Sequence, residues 1–141
     1  MPSTKSSLVG SKRGFGLLFL AWMVAVTAAC LLPLHFEEDS GWQIPYADKI
    51  THFTFYAVGM LLGGLGARER YRGRTGPNRP LAFLFASLLA YGLLIEGLQA
   101  LLPTGRSAEW WDALANTLGL FAGLASLKWL FHETEFLKWR D

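Results

Sequence analysis

The chain has 141 residues, of which 52% are hydrophobic and 17% charged, with a positive mean hydropathy and a formal net charge of +2. That apolar content exceeds what one small soluble domain carries, so a membrane protein is the leading class. A single cysteine, Cys30, excludes an intramolecular disulfide and a cysteine metal cluster.

The first element is GFGLLFLAWMVAVTAACLLPL at residues 14–34, free of charge and close to the ~20 residues needed to cross a hydrocarbon core roughly 30 Å thick. Its basic start and Thr27-Ala28-Ala29-Cys30 resemble a secretory signal with lipid attachment at the cysteine. Thr27 fits that pattern poorly and the apolar run continues through Leu34, so an uncleaved span with Cys30 as packing material is expected.

The second apolar run, residues 50–67, follows the stretch ADKITHFTFYAVG at 47–59. Asp48, His52 and Tyr56 are spaced i, i+4, i+8 and lie along one stripe of a helix, while Gly59 and Gly63 continue the four-residue spacing and allow a second backbone to approach. A loop follows with Arg68, Arg70, Arg72, Arg74 and Arg79; five arginines between two spans set topology and touch anionic lipid head groups rather than nucleic acid. The third span, residues 81–102, carries Glu96 and Gln99 near its far end, with Glu96 roughly 10 Å inside Pro103 and too deep for a carboxylate facing lipid.

After PTGRSAE, which brings Arg106 and Ser107, comes the fourth span at residues 110–131. Here Asp112 and Asn116 are i, i+4, and Gly119 and Gly123 continue nearly the same face. Trp42, Trp110, Trp111, Trp129 and Trp139 fall near span ends or in loops and read as an aromatic belt. Prolines at Pro2, Pro33, Pro45, Pro77, Pro80 and Pro103 avoid helix interiors, apart from Pro33 near an end.

The expected fold is therefore all-α, a bundle of four transmembrane helices. It divides into a basic tail at 1–13, one membrane domain at 14–131 and a C-terminal tail at 132–141. Of the 13 basic residues, 11 lie in the two tails, near the end of the fourth span and in the arginine loop, leaving only Lys49 and Arg106 in the other two connections. Both termini are accordingly expected in the cytoplasm.

Three spans thus carry polar groups at matching depth in the outer half of the membrane. A buried network that merely ties helices together needs little more than Gln99 and Asn116, at about 1 kcal/mol or less each. Adding Asp48, Lys49, His52, Glu96, Arg106 and Asp112 exceeds that need, and ionisable groups within a membrane mark functional sites.

The motifs DKITHFTFY, EGLQALLPTGR and WWDALANTLGLFAG, in this order over residues 48–123, resemble the VanZ-like family of small integral membrane proteins. Carried over by position, the family's motif residues are Asp48, Lys49, His52, Glu96, Gln99, Arg106, Asp112, Asn116 and Gly119. The family takes its name from a protein associated with resistance to the glycopeptide teicoplanin. The resemblance implies a protein of the bacterial cytoplasmic membrane but no defined reaction.

Three classes of function stay open. The cluster could bind a polar or anionic envelope molecule, such as a lipid head group or lipid-linked cell-wall precursor, through Lys49 and Arg106 with Glu96 and Asp112 shaping the pocket. It could be enzymatic, with His52 or Glu96 as acid or base and Asp112 as a further candidate, although no nucleophile motif accompanies them. Or the chain could scaffold envelope proteins or self-associate through Gly59, Gly63, Gly119 and Gly123. No cofactor is expected. A divalent metal on Asp48, His52, Glu96 and Asp112 is chemically plausible, yet the spacing matches no metal motif, so no metal is expected either.

The basic-residue distribution gives a direct test. A reporter fused after Asp141 is expected to read cytoplasmic, and one inserted within residues 36–46, where Glu37, Glu38 and Asp39 make the connection acidic, external. The reverse result would overturn the topology.

Overall fold

The computed structural model describes residues 14–32, 46–102 and 109–139. Four helices follow in order: α1 Gly14–Leu31, α2 Ala47–Tyr71, α3 Asn78–Leu101 and α4 Trp110–Glu133, with a short 3-10 turn at Glu135–Leu137. All four are long and apolar enough to cross a membrane. The shortest, α1, has 18 residues and spans about 27 Å, close to the roughly 30 Å of a hydrocarbon core.

The distribution of side chains identifies the surrounding solvent. Leu93, Leu94, Leu118 and Phe121 are exposed, whereas His52, Glu96, Gln99, Asp112 and Asn116 are buried. In water this arrangement would forfeit apolar burial and strand polar groups; in lipid the outward leucines lose nothing and the inward polar groups gain partners. The chain is an all-α multi-pass membrane protein.

Two helices extend beyond the apolar runs. α2 begins early enough to include Asp48 and Lys49 and continues through Tyr71, so Arg68 and Arg70 belong to its last turn rather than to the loop. Asp48 at the N-terminal end and these arginines at the C-terminal end both complement the helix macrodipole. α3 begins at Asn78 and holds Pro80 in its first turn, where a missing N–H costs nothing. α1 ends at Leu31, and Pro33 explains why, since the residue before a proline disfavours helical geometry. Pro33, Trp42, Arg106, Ser107 and the tail at 1–13 lie outside the described residues.

Packing alternates the helix directions. Gly66 of α2 lies against Gly16 of α1, while Gly59 lies against Trp22 and Met23, so those two helices are antiparallel. Gly63 faces Leu84 and Tyr56 faces Gly92, which makes α3 antiparallel to α2 as well. α2 and α4 run parallel and pack most intimately. A Cβ on Gly119 would stand 2.2 Å from the Phe53 carbonyl oxygen, and one on Gly123 2.7 Å from that of Ala57. Such approach is open only to glycine. Gly64 answers from the other side, since a Cβ there would run into Leu127.

The core continues from this seam as Tyr56, Met60, Leu81, Leu88, Leu120, Leu127 and Phe131. A smaller cluster of Val26, Cys30 and Ile95 joins α1 to α3. Polar ties secure α1: Trp22 Nε1 donates to the Phe55 carbonyl at 3.0 Å, Thr27 and Tyr91 share a 2.6 Å hydrogen bond, and Gln99 Nε2 donates to the Cys30 carbonyl at 2.9 Å.

At the opposite end Arg68 is buried and its guanidinium donates to the carbonyls of Phe136 and Lys138 at 2.8 and 3.2 Å. Trp139 packs edge-on against Phe131 and donates Nε1–H to the Thr75 carbonyl. The segment after α4 is thereby folded back onto the α2–α3 connection. Trp139, placed by sequence in an aromatic belt, instead makes this specific tertiary contact.

The seam predicts a sharp asymmetry between glycines. Gly119→Ala must push backbone apart and is expected to lower stability by about 1–3 kcal/mol or more. Gly97→Ala, on α3 with nothing within 4 Å of the added methyl, is expected to be neutral or to add about 0.5–1 kcal/mol. Thermal unfolding of the two purified variants in one detergent checks both.

Candidate functional site

The close seam of α2 and α4 brings the start of each of these two helices alongside the other. Lys49 and His52, on successive turns of α2, face Asp112 and Asn116, on successive turns of α4. α3, running the other way, delivers Glu96 to the same level. Polar residues near three helix ends therefore converge at one end of the bundle.

Two linked groups result. In the outer one, Lys49 Nζ stands 2.6 Å from Asp112 Oδ1, 2.6 Å from Glu109 Oε2 and 3.3 Å from Asp48 Oδ2. Asp112 is almost wholly buried; Asp48 and Glu109 are about half exposed. The buried pair dominates, because a carboxylate removed from water is stable only beside a cation, whereas the exposed pairs are screened. Glu109 is a participant that sequence reasoning missed. Its signal was an acid immediately before the Trp110-Trp111 start of the fourth span.

In the inner group, His52 Nδ1 donates to Asn116 Oδ1 at 3.0 Å. The same nitrogen lies 3.7 Å from Glu96 Oε1, and Nε2 lies 3.8 Å from Asp48 Oδ1. His52 is 3% exposed and Glu96 8%. Neither Glu96 oxygen has a hydrogen-bond partner among the described residues. Asp112 Oδ1, although ion-paired to Lys49, also lacks an aligned hydrogen bond. Glu96 thus feels the favourable fields of His52 and of the Glu109 backbone N–H, and the unfavourable ones of Asp112 and Asp48.

The remaining sequence-predicted residues fall elsewhere. Gln99 is buried one turn beyond Glu96, but its amide is spent on the Cys30 carbonyl and ties α3 to α1. Tyr56, on the Asp48–His52 stripe, sits within the apolar core with no hydrogen-bond partner for its hydroxyl among the described residues. Gly59, Gly63, Gly119 and Gly123 all face neighbouring helices of the same chain. Arg106 is outside the described residues.

Asp48, His52 and Asp112 offer ligand atoms within 4.8 Å of one another, a geometry that a metal ion could use. The positive charge placed there by the chain itself is Lys49, 2.6 Å from Asp112. The described cluster sets four carboxylates, on Asp48, Glu96, Glu109 and Asp112, against this one ammonium. The carboxylates outnumber the ammonium, so the described cluster is acidic. What it presents beyond its own pairing is chiefly hydrogen-bond acceptors.

Four helices, each long and apolar enough to cross a membrane, with a cluster of charged side chains at one end of the bundle, define a small multi-pass membrane protein. The sequence profile of the VanZ/LLP1 family matches residues 4–132, nearly the whole chain, and the protein belongs to that family. No curated protein and no solved structure matches it.

The two groups respond differently to substitution. Lys49→Met leaves Asp112 buried without a counter-charge. It is expected to cost somewhat less than the roughly 3–5 kcal/mol of a fully buried pair, because Lys49 is a quarter exposed. Asp112→Asn in the Lys49→Met background is expected to restore part of that loss, and Glu109→Gln alone to change stability by less than about 1 kcal/mol. Thermal unfolding of the single and double variants measures the coupling.

Proposed function

We propose that the cluster between α2, α3 and α4 faces outward across the bacterial cytoplasmic membrane, with both termini inside, and binds the polar part of a cell-envelope molecule. The observation that carries this reading is Glu96: a carboxylate 8% exposed, beside His52 where α2, α3 and α4 meet, with no well-formed hydrogen bond to either oxygen among the described residues. A network whose whole purpose is to hold helices together satisfies its own members. This one keeps an acceptor open beside His52, whose ring is fixed by Asn116.

The ligand chemistry follows from the charge balance. Lys49 is engaged by three carboxylates, so an anionic head group would have to displace them or depend on Arg106. Hydroxyl, amide or ammonium donors meet open acceptors instead. Sugar hydroxyls of a lipid-linked cell-wall precursor and amine-bearing lipid head groups both have this chemistry. Binding of either would modulate the envelope from within the bilayer, and a glycopeptide response is one outcome such modulation could produce.

A second reading, that of a membrane enzyme acting on an envelope lipid or glycan, rests on two titratable side chains, His52 and Glu96, standing 3.7 Å apart, beyond direct hydrogen bonding but close enough to act on one substrate. The hydroxyls of Thr51, Thr54 and Thr117 on adjoining turns all donate to carbonyls of their own helices. They are not poised as nucleophiles, so the binding reading is the stronger.

Native mass spectrometry of gently solubilised full chain is expected to show a co-purifying envelope lipid or glycolipid. Glu96→Gln and His52→Gln should each reduce its retention at least about tenfold, a loss of about 1.4 kcal/mol, without lowering the melting temperature. Parallel loss of stability and ligand would mark a purely structural network. Turnover of an added precursor that both substitutions abolish would establish the enzyme. Arg106→Lys keeps charge but loses the planar fork, so weakened retention there would show a bidentate contact.

A further inference from the structure

A second place in the molecule, at the opposite membrane face from the His52 cluster, has the form of a binding site. α1 and α3 flank α2 without closing over it and leave a groove of about 800 Å³. Phe19 and Met23 of α1 form one wall, Leu84 and Leu88 of α3 the other, and Gly63 and Ala67 of α2 the floor. The floor is low because its residues are small. Gly66 is pressed against the Gly16 backbone, so α1 cannot slide across to fill the space without losing that contact.

The groove is apolar along its length and changes character at one end, where Arg70, Thr75 and Arg79 line it. Thr75 and Arg79 also line an adjoining polar recess of about 390 Å³ shared with Arg74, Gly76 and Asn78. Arg70, Arg74 and Arg79 form no ion pair among the described residues, in contrast to Lys49 at the other face, which has three carboxylates around it. Arg70 lies over the Tyr71 ring, and no described carboxylate neutralises these three guanidinium groups.

The dimensions select the occupant. From Arg79 at the rim to Tyr91 at the inner end is 12 residues of α3, about 18 Å, comparable to the roughly 15 Å depth of one bilayer leaflet. We propose that this groove holds one anionic phospholipid of the leaflet on the arginine-loop side, an acyl chain lying along α2 between α1 and α3, and the phosphate between Arg70 and Arg79. The guanidinium fork suits phosphate oxygens, the leaflet supplies the lipid at high local concentration, and the apolar walls exclude a soluble phosphate as an equivalent ligand. The site stands apart from the His52 cluster and does not depend on what that cluster binds.

The test uses full chain purified in a neutral detergent, stripped of lipid, then titrated with dioleoyl-phosphatidylglycerol or with phosphatidylcholine of the same acyl chains. Native mass spectrometry is expected to show one phosphatidylglycerol held per chain, roughly 30-fold more tightly than phosphatidylcholine, the discrimination expected from two interfacial arginines. Arg70→Gln with Arg79→Gln should erase the preference. Ser87→Phe, which introduces a ring from the α3 wall, should abolish the one-to-one adduct of either lipid, and Ala67→Leu does the same from the floor should the first variant fail to fold. Equal retention of the two lipids by the unaltered chain would overturn the proposal. So would a phosphatidylglycerol adduct that survives both groove-filling variants, or a dimer that forms in place of the adduct and shows a second copy of the chain as occupant.

Discussion

The architecture depends on the backbone-to-backbone approach of α2 and α4. At Gly119 and Gly123 the helices are so close that a single methyl would meet the carbonyl oxygens of Phe53 and Ala57. In lipid this proximity is what association has to work with, because the surrounding acyl chains are as apolar as the side chains and no hydrophobic force drives the helices together. Because α2 and α4 are parallel, one seam also sets their register. Once Gly119 lies beneath Phe53, Asn116 must lie beside His52 and Asp112 beside Lys49, without any need for the polar residues to find one another.

The polar cluster is thus mounted on the most closely packed pair of helices. Binding and catalytic groups need to be held within fractions of an ångström, and parallel helices locked by glycines provide that more firmly than loops would. α3 enters the site differently. It is tied to α1 through Gln99 and the Thr27–Tyr91 hydrogen bond, and reaches α2 through Gly92 beneath Tyr56. Glu96 is accordingly positioned by the packing of α3, with no well-formed hydrogen bond to the cluster's side chains among the described residues.

The two membrane faces carry opposite electrostatics. One end presents three carboxylates around Lys49 with Glu96 beside His52, and the other an arginine-rich connection, near which Glu69 accepts from the Phe15 backbone N–H and Glu133 and Glu135 pair with His132 and Lys138. Arg68 is the exception in that loop, being turned inward to hold carbonyls of the chain after α4. A net charge of +2 hides this polarity because it sums two ends that never meet. This contrast underlies both proposals, a donor-bearing ligand at one face and an anionic lipid at the other.

Much of this was legible in the linear chain. The number of helices followed from apolar runs of membrane length, and the i, i+4 spacing of Asp48, His52 and Tyr56, and of Asp112, Asn116 and the following glycines, placed each polar residue on a helical face. Depth followed from a fixed rise per residue, which is why Glu96 and Asn116 were expected at one level. Continuing the stripe from His52 through Met60 and Gly64 would also have marked Arg68 as inward-facing, since all of these are buried. What periodicity cannot give is which face meets which helix. That required tertiary packing: the close approach at Gly119 and Gly123 decides that Lys49 pairs with Asp112 and Glu109, and the packing of α3 on α1 and α2 decides that Gln99 is spent on the Cys30 carbonyl and that Tyr56 joins the core. Spacing along one helix is set by local backbone geometry; partners across helices are chosen by packing, which belongs to the whole chain.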